Sequence, residues 1–252
     1  MARAAVQRRL IWRPARVVEN RPETHRVHRL VLDVAGWPGH LPGQHVDIRL
    51  TAEDGYVAER SYSLASPPDV PELHLLVERL EGGEVSPYLT DEVRSEDVFE
   101  LRGPVGGWFV WSAAADRADP EAARRPVQLV AGGSGAAPFV AMLDHHRRRA
   151  SPTRMQLLYS SRTEDDLVGR GVLGTGTTVT LTRTAPPGWT GETGRIDAAM
   201  LARRTIPPAE QPRIFVCGPT VFAEAMGTLL VDLGHDPSSI RIERFGNSGE
   251  PS

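Results

Sequence analysis

The sequence predicts two joined units, an antiparallel β-barrel followed by an α/β unit with a parallel sheet. The first hundred residues contain short apolar segments separated by turns rich in glycine and proline, which is typical of antiparallel barrels and sandwiches. From residue 127 onwards, strand-like segments alternate with helical ones, which indicates a parallel sheet with helices on both faces. The two patterns meet in a polar, alanine-rich stretch. We therefore predict domains at 1–111 and 127–252 with a linker at 112–126.

The strands of the first unit are predicted from residue alternation and from turn signals. Val46, Ile48 and Leu50 alternate with polar residues, which is the period of a strand with one buried face. The segment from Arg60 to Ser63 ends a polar stretch, and we expect it to open another strand. Similar apolar segments predict further strands at 24–34, 73–80 and 98–102.

The elements of the second unit alternate along the chain. Short apolar runs bounded by glycine, proline or polar residues predict buried strands, and the longer amphipathic stretches predict helices. The predicted strands are 127–131, 155–160, 177–182, 213–217 and 240–245, and the predicted helices are 136–149, 196–203 and 221–233.

Composition excludes several classes of protein. The chain of 252 residues has a formal net charge of −3, which predicts no nucleic-acid partner. No apolar run is long enough to span a membrane, and no secretory signal opens the sequence, so we expect a cytoplasmic protein. The single cysteine, Cys217, excludes an internal disulfide and a four-cysteine iron–sulfur cluster within this chain. The eight histidines lack metal-binding spacing, so no metal site is predicted.

The segment from Arg60 to Ser63 combines side chains that suit a phosphorylated aromatic ligand. Arg60 offers a charged, forked donor to a phosphate, and Tyr62 offers a flat apolar face to an aromatic ring. The Ser63 hydroxyl can donate and accept, which suits a flavin nitrogen whose protonation changes on reduction. Taken alone, the four residues also fit an edge strand with a surface arginine and a packed tyrosine.

A glycine pair follows the strand predicted at 73–80. Gly82 and Gly83 allow the backbone to approach a phosphate closely. Val85 and Ser86 can present backbone N–H donors at the start of a helix, where anions bind. This turn is therefore a second candidate for contact with a phosphorylated ligand.

A second glycine turn follows the strand predicted at 127–131. Its pattern, Gly133-x-Gly135-x-x-Pro138, differs from the dinucleotide pattern GxGxxG in the final proline. Small residues such as Ser134 allow a tight turn whose N–H groups, with the helix dipole, attract a pyrophosphate. Pro138 suits the first helical turn, where its missing N–H costs little. A plain turn between strand and helix is the alternative.

The residues after the next predicted strand bear on the choice of nicotinamide nucleotide. Ser161 and Arg162 lie where a dinucleotide-binding fold meets the adenosine ribose. An acidic residue there accepts from a free 2′-hydroxyl, whereas serine and arginine suit a 2′-phosphate, which favours NADPH. The acidic residues at 164–166 keep NADH open, and the alternative for Arg162 is a solvated loop charge.

Taken in order, these motifs resemble those of the ferredoxin–NADP reductase family of flavoenzymes over nearly the whole chain. The resemblance implies an FAD-binding β-barrel followed by a nicotinamide-binding α/β domain, with FMN possible in place of FAD. It implies that Arg60 binds a flavin phosphate, that Tyr62 stacks on the isoalloxazine and that Ser63 contacts its reactive nitrogen. The residues implied to hold the pyrophosphate of the flavin are Gly83, Val85 and Ser86.

Two further segments share this resemblance. Cys217-Gly218-Pro219 follows a predicted strand, and the family implies that Cys217 lies near the nicotinamide ring, where a small polarizable side chain leaves room. The segment that ends at Phe245 is similar to the family's terminal segment, which implies that Phe245 lies close to the flavin.

The family implies hydride transfer from NADPH, or NADH, to the flavin, framed by Ser63, Tyr62 and Cys217, and then release of single electrons. Because the chain lacks an iron–sulfur cluster, we expect a separate acceptor, a ferredoxin first, or an oxygenase component, a haem protein or a molybdenum enzyme. Two alternatives stay open. A reductase of free flavin or ferric chelates would retain flavin weakly, and a non-catalytic flavin-binding electron-transfer subunit would turn over poorly with nicotinamide alone.

Overall fold

The computed structural model describes residues 10–246, and its first part is an antiparallel sheet of six strands. The strands are β1 (Trp12–Pro22), β2 (Val27–Asp33), β3 (His45–Thr51), β4 (Val57–Ser63), β5 (Leu73–Glu78) and β6 (Val98–Val105). They are arranged in the order β4-β3-β6-β1-β2-β5. A backbone bridge between Leu64 and Leu75 brings the two outer strands together, so the sheet curves into the predicted barrel.

Alternating apolar residues fill the inside of the barrel. On β3, Val46 and Ile48 are fully buried, whereas Asp47 between them lies on the outer face and binds Arg102 at 2.8 Å. Burying each such aliphatic side chain stabilises the fold by about 1.5–3 kcal/mol. The short helix α1 (Val85–Pro87) and the wider helical turn that continues it add Val85 and Leu89 to the same core.

The segment predicted to be a linker forms two short helices, α2 (Ala113–Ala118) and α3 (Pro120–Arg124). Asp116 on α2 is only 4% exposed. It accepts hydrogen bonds from the Arg213 guanidinium at 2.6 and 2.8 Å, from Trp111 Nε1 at 3.0 Å and from Thr153 Oγ1 at 2.9 Å. Burial alone would raise the pKa of Asp116, but the hydrogen bonds and charge of Arg213 lower it. Asp116 thus links helix α2, in the segment between the two sheets, to Arg213 of the second sheet.

The second sheet is parallel throughout, as predicted. Its strands are β7 (Val127–Gly132), β8 (Met155–Ser161), β9 (Thr177–Leu181), β10 (Glu192–Thr193), β11 (Arg213–Pro219) and β12 (Ile240–Phe245), in the order β10-β9-β8-β7-β11-β12. The helices are α4 (Ala137–Arg148), α5 (Ala198–Arg204) and α6 (Thr220–Asp232). Because all strands are parallel, their carboxyl ends meet at one edge, which is where ligands bind in such sheets.

Each face of this sheet has its own core. On one face, Phe215 and Tyr159 pack with Phe139 of α4, and the barrel residues Val27 and Leu76 belong to the same cluster. The cluster on the other face combines sheet residues with those of α5 and α6, namely Val130, Leu158, Val216, Leu201, Met226 and Leu230. The barrel and the sheet therefore share a continuous apolar core along the α4 face.

Besides the helices in the predicted linker, three local features differ from the sequence prediction. Arg60 to Ser63 ends β4 rather than opening a strand, because β4 begins at the exposed Val57 and pairs with β3 along its whole length. β1 was not predicted, because only Ala15 and Val17 are buried in it and a change of register after Val17 breaks the alternation. β10, with two residues, is too short to leave a pattern.

We expect Asp116→Ala to lower the free energy of unfolding by about 3–5 kcal/mol, since it leaves the buried Arg213 guanidinium without its carboxylate. Urea denaturation followed by circular dichroism measures this change. The matched control is Arg154→Ala, which breaks the exposed Arg154–Glu210 pair and should cost less than about 1 kcal/mol. Equal effects of the two substitutions would contradict the structural role of Asp116.

Candidate functional site

The end of β4 meets the glycine turn that precedes α1. Pairing with β3 sets Tyr62 opposite Val46 and Ser63 opposite His45, and Arg60 and Tyr62 share one face of the strand. Tyr62 is half-buried against the barrel core, and burial raises the pKa of its phenol, so the ring stays neutral. Arg60 is exposed and its Nη2 lies 3.6 Å from Glu84 Oε2 in the turn. The strand end and the turn thus form one cluster, the β4 cluster.

The turn from Gly82 to Ser86 is built by hydrogen bonds to Leu80. The Gly83 N–H donates to the Leu80 carbonyl at 3.1 Å, and the Leu80 N–H donates to Ser86 Oγ at 3.0 Å. Val85 and Ser86 are buried, with 1% and 6% exposure, so their side chains serve the turn and the core. The groups available to an anion here are backbone N–H groups of the first helical turn, which have no partner within the helix.

A second cluster lies at the carboxyl edge of the parallel sheet. It surrounds a cavity of about 190 Å³. The cavity brings together five of the residues predicted to bind the nicotinamide nucleotide, namely Gly133, Ser134, Ser161, Arg162 and Pro219. Phe245, which was expected close to the flavin, lines the same cavity. It also includes Thr24, Arg26, Val27 and Glu78 of the barrel, which the sequence did not suggest. We call it the edge cavity.

The turn after β7 lies directly on β11. Gly133 has a φ of +56°, which glycine adopts without strain, and Pro138 stands at the start of α4. A Cβ atom on Gly135 would lie 2.5 Å from the Cys217 carbonyl oxygen and 2.7 Å from Gly218 Cα. Only glycine at position 135 lets the turn approach the strand this closely, so the turn and the Cys217 segment form one surface.

Cys217 and Glu243 are neighbours on adjacent strands. Cys217 is 3% exposed, and burial raises the pKa of its thiol, with a further contribution from Glu243, so the thiol stays protonated. Parallel pairing sets Glu243 of β12 opposite Cys217 of β11. Burial raises the pKa of Glu243 to about 7, which lets its carboxyl group gain or lose a proton near neutrality. Sequence reasoning missed Glu243, because only the strand register brings it to Cys217.

Arg162 follows β8 and Arg183 follows β9, and among the described residues neither forms an ion pair with the nearby acidic side chains. The Arg183 N–H donates to the Arg162 carbonyl at 2.9 Å, and both arginines are exposed. Asp166 accepts from the backbone and the hydroxyl of Thr163 at 3.1 and 2.7 Å. The other two acidic residues, Glu164 and Asp165, lie 3.8 and 3.6 Å from the Arg170 guanidinium. Ser161 is buried and its hydroxyl donates to the Thr163 carbonyl at 3.0 Å.

The residues of the edge cavity fit an anionic nucleotide. The Gly133 turn opens a helix at the carboxyl edge, and Arg162 lines the same cavity. In addition, Arg26 Nε is buried and has no hydrogen-bond partner among the described residues. A buried guanidinium N–H without an acceptor is a costly arrangement that a phosphate oxygen can relieve.

Comparison with known proteins identifies both halves of the chain. Residues 14–110 match the model of the oxidoreductase FAD-binding domain, and residues 129–227 match that of the oxidoreductase NAD-binding domain. These two domains define a class of NAD(P)H-dependent flavin oxidoreductases. The chain belongs to the ferredoxin–NADP reductase family.

Individual relatives agree with this assignment. A flavohemoprotein of Bordetella pertussis is 28% identical over 258 residues, covering 94% of this chain and 61% of that protein. The electron transfer component of a toluate 1,2-dioxygenase from Pseudomonas putida is 26% identical over 216 residues, covering 82% of this chain and 59% of that protein. The chain thus spans about six tenths of the length of these relatives.

Solved structures share the fold. The FAD/NAD-binding domain of a nitric oxide dioxygenase from Vibrio cholerae superposes with a TM-score of 0.78 and 25% identity, over 93% of this chain and 99% of that one. A ferredoxin–NADP+ reductase from Neisseria gonorrhoeae with bound FAD and NADP superposes with a TM-score of 0.76 and 19% identity, over 92% and 98% of the chains.

Residues 10–246 contain neither a membrane-spanning helix nor a cluster of metal ligands. None of the helices in that range has the length and apolar character needed to cross a membrane. The same residues contain no group of three or more histidine, cysteine, aspartate or glutamate side chains placed to hold a metal ion.

We expect Gly135→Ala to lower the free energy of unfolding by about 1–3 kcal/mol, because the new methyl group overlaps the backbone of β11. The displaced turn should also weaken binding of NADP+, measured by isothermal titration calorimetry. Gly174→Ala is the matched control, since a Cβ atom there meets nothing within 4 Å. Unchanged stability and nucleotide affinity in Gly135→Ala would contradict the close approach.

We expect Glu243 to make stability fall as pH rises from about 4.5 to about 7. In this window the unfolded chain has already released the proton that the folded protein still holds, so raising the pH favours unfolding. Glu243→Gln should remove up to roughly 3 kcal/mol of this dependence. Urea denaturation at pH 5 and 7.5 measures it, with Glu53→Gln on an exposed turn as control. A parallel pH dependence in wild type and Glu243→Gln would show that Glu243 does not titrate in this window.

Proposed function

We propose that this chain is an FAD-dependent reductase that takes electrons from NADPH and hands them singly to a separate acceptor protein. The proposal rests on the proximity of the β4 cluster and the edge cavity, which are linked by the end of β5 and the turn that follows it. Glu78, the last residue of β5, accepts a hydrogen bond from Ser134 in the edge cavity at 2.7 Å. Four residues further along the chain, Gly82 begins the turn that forms part of the β4 cluster. A flavin at one cluster and a nicotinamide at the other would therefore be neighbours.

The β4 cluster suits the flavin. Arg60 would bind a phosphate, and the backbone N–H groups of Val85 and Ser86 at the helix start would complete the anion site. Gly83, whose own N–H donates to the Leu80 carbonyl, would let the phosphate approach the backbone closely. Tyr62 would cover one face of the flavin ring, and Ser63 would hydrogen-bond its edge. When bound, FAD supplies the exchange between two-electron and one-electron transfer, and the protein orients it and excludes water.

The edge cavity suits the nicotinamide nucleotide. The backbone of Gly133, Ser134 and Gly135, followed by Pro138 at the helix start, would hold the pyrophosphate. Cys217, with Gly218 and Pro219 after it, would border the nicotinamide ring as a small neutral surface, and Phe245 would close the side towards the flavin. The Glu243 carboxyl group, next to Cys217, can hold or release a proton at this point.

The preference for NADPH is supported by the charges that follow β8 and β9. Arg162 and Arg183 lie together, and the three acidic residues between 164 and 166 are bound by Thr163 or lie beside Arg170. A 2′-phosphate would therefore meet two guanidinium groups. Asp166, the one of these three carboxylates that lines the edge cavity, already accepts from the backbone and the hydroxyl of Thr163.

The acceptor is proposed from the relatives. The toluate dioxygenase component and a glycine betaine monooxygenase reductase subunit from Chromohalobacter salexigens, 29% identical over 216 residues, are electron donors to oxygenases by name. The Bordetella relative is named for its haem. Oxygenase components and haem proteins were already among the acceptors expected from the sequence, and the names of these relatives lead us to place oxygenases ahead of ferredoxin.

Anaerobic mixing of the purified, FAD-loaded protein with NADPH or NADH tests the function. We expect the flavin absorbance to bleach, faster with NADPH. Arg162→Ala should reduce the preference for NADPH about tenfold, because it removes a charge-assisted contact to the 2′-phosphate. Arg154→Ala is the matched control, because it removes an exposed arginine directly before β8, at the end of the strand away from Arg162.

Two results would contradict the proposal. A protein that takes up no FAD would exclude the flavin site, and a yellow protein that neither nucleotide reduces would favour the non-catalytic subunit. Rapid loss of FAD on dilution, with high turnover on added free flavin, would instead favour the free-flavin reductase. Equal rates with both nucleotides would overturn only the preference for NADPH.

A further inference from the structure

Three side chains connect the barrel to the glycine turn across the edge cavity. Arg26 lies in the connection between β1 and β2, Glu78 ends β5, and Ser134 lies in the turn after β7. The Ser134 hydroxyl donates to Glu78 Oε2 at 2.7 Å, and Arg26 Nη2 lies 3.1 Å from Glu78 Oε1. All three line the same cavity. Each oxygen of the Glu78 carboxylate thus has one partner, one on each side of the boundary between barrel and sheet.

One N–H group of the Arg26 guanidinium has no hydrogen-bond acceptor among the described residues. Its Nε is buried and has no hydrogen-bond partner among the described residues, although Nη2 is paired with Glu78. Buried donors of this kind are rare in folded proteins, and each calls for an acceptor. In this structure Glu78 approaches the guanidinium at Nη2, and its carboxylate forms no hydrogen bond with Nε. An acceptor that enters the cavity from outside the chain would complete the hydrogen bonding of this guanidinium.

The position of Ser134 identifies the chemistry of that acceptor. Ser134 belongs to the turn whose backbone N–H groups and helix start favour a phosphate. A pyrophosphate bound there would lie beside the Ser134 hydroxyl and within reach of the Arg26 side chain, which lines the same cavity from the barrel. It would also approach the Glu78 carboxylate, which repels it.

We propose that Arg26 binds the pyrophosphate of the nicotinamide nucleotide from the barrel side and that Glu78 limits the affinity for it. Glu78 holds Arg26 in place, yet its charge and its hydrogen bond to Ser134 compete with the incoming phosphate. The proposal rests on the nucleotide binding proposed above and adds a binding residue from the other half of the molecule. Because pyrophosphate is common to NADPH and NADH, Arg26 acts on both nucleotides alike, unlike Arg162.

The test compares two substitutions that remove opposite charges from one ion pair. In the FAD-loaded protein, Arg26→Gln should weaken binding of both NADP+ and NAD+ about tenfold, and Glu78→Gln should tighten both about threefold or more. Isothermal titration calorimetry measures the dissociation constants. Arg79→Gln and Glu81→Gln are matched controls, since they make the same charge changes at neighbouring positions, and Arg79 pairs with Asp91 instead.

The signs of the effects decide the outcome. If the pair were only structural, both substitutions would weaken binding or leave it unchanged, and either result overturns the proposal. Tighter binding in Glu78→Gln cannot arise from misfolding, so it supports the proposal even where Arg26→Gln folds poorly. Wild-type protein that binds neither nucleotide would instead refute the proposed function itself.

Discussion

The backbone contact between Gly135 and the Cys217–Gly218 peptide is the constraint on which the rest of the structure depends. With no side chain at position 135, the turn after β7 rests on β11, and α4 starts directly from it. In the same turn, the Ser134 hydroxyl donates a hydrogen bond to Glu78 of the barrel. This steric requirement therefore fixes the wall of the edge cavity from which Ser134 contacts the barrel.

The apolar core holds this arrangement together. Val27 and Leu76 of the barrel belong to the same buried cluster as Phe139 of α4 and Phe215 of the sheet. Because burial of such side chains is the main source of stability, the spacing between the β4 cluster and the edge cavity is fixed by packing. A flavin and a nicotinamide need this kind of fixed spacing, since electron transfer between them depends on close and constant approach.

The sequence predicted what depends on local pattern and missed what depends on pairing between distant segments. Period-two alternation and the alternation of strand and helix identified both sheets, and β12 lies where it was predicted, at 240–245. The position of Glu243 next to Cys217 follows only from the register between β11 and β12, which the local pattern does not reveal. Arg26 and Glu78 likewise reach the edge cavity only through the contact between barrel and sheet, which no motif encodes. The placement of Arg60 to Ser63 at a strand end also required the pairing with β3.

Because Cys217 is buried, we expect the protein to be unreactive towards thiol reagents. Thiolates react and thiols do not, and Cys217 is both shielded from solvent and kept protonated by its surroundings. It is also the only cysteine in the chain. A cysteine introduced at any exposed position of the barrel or the sheet would thus be the one reactive thiol. Two such cysteines, one on the barrel and one on the sheet, would carry a pair of spectroscopic labels that report the distance between the two halves while the native sequence around the nucleotide stays intact.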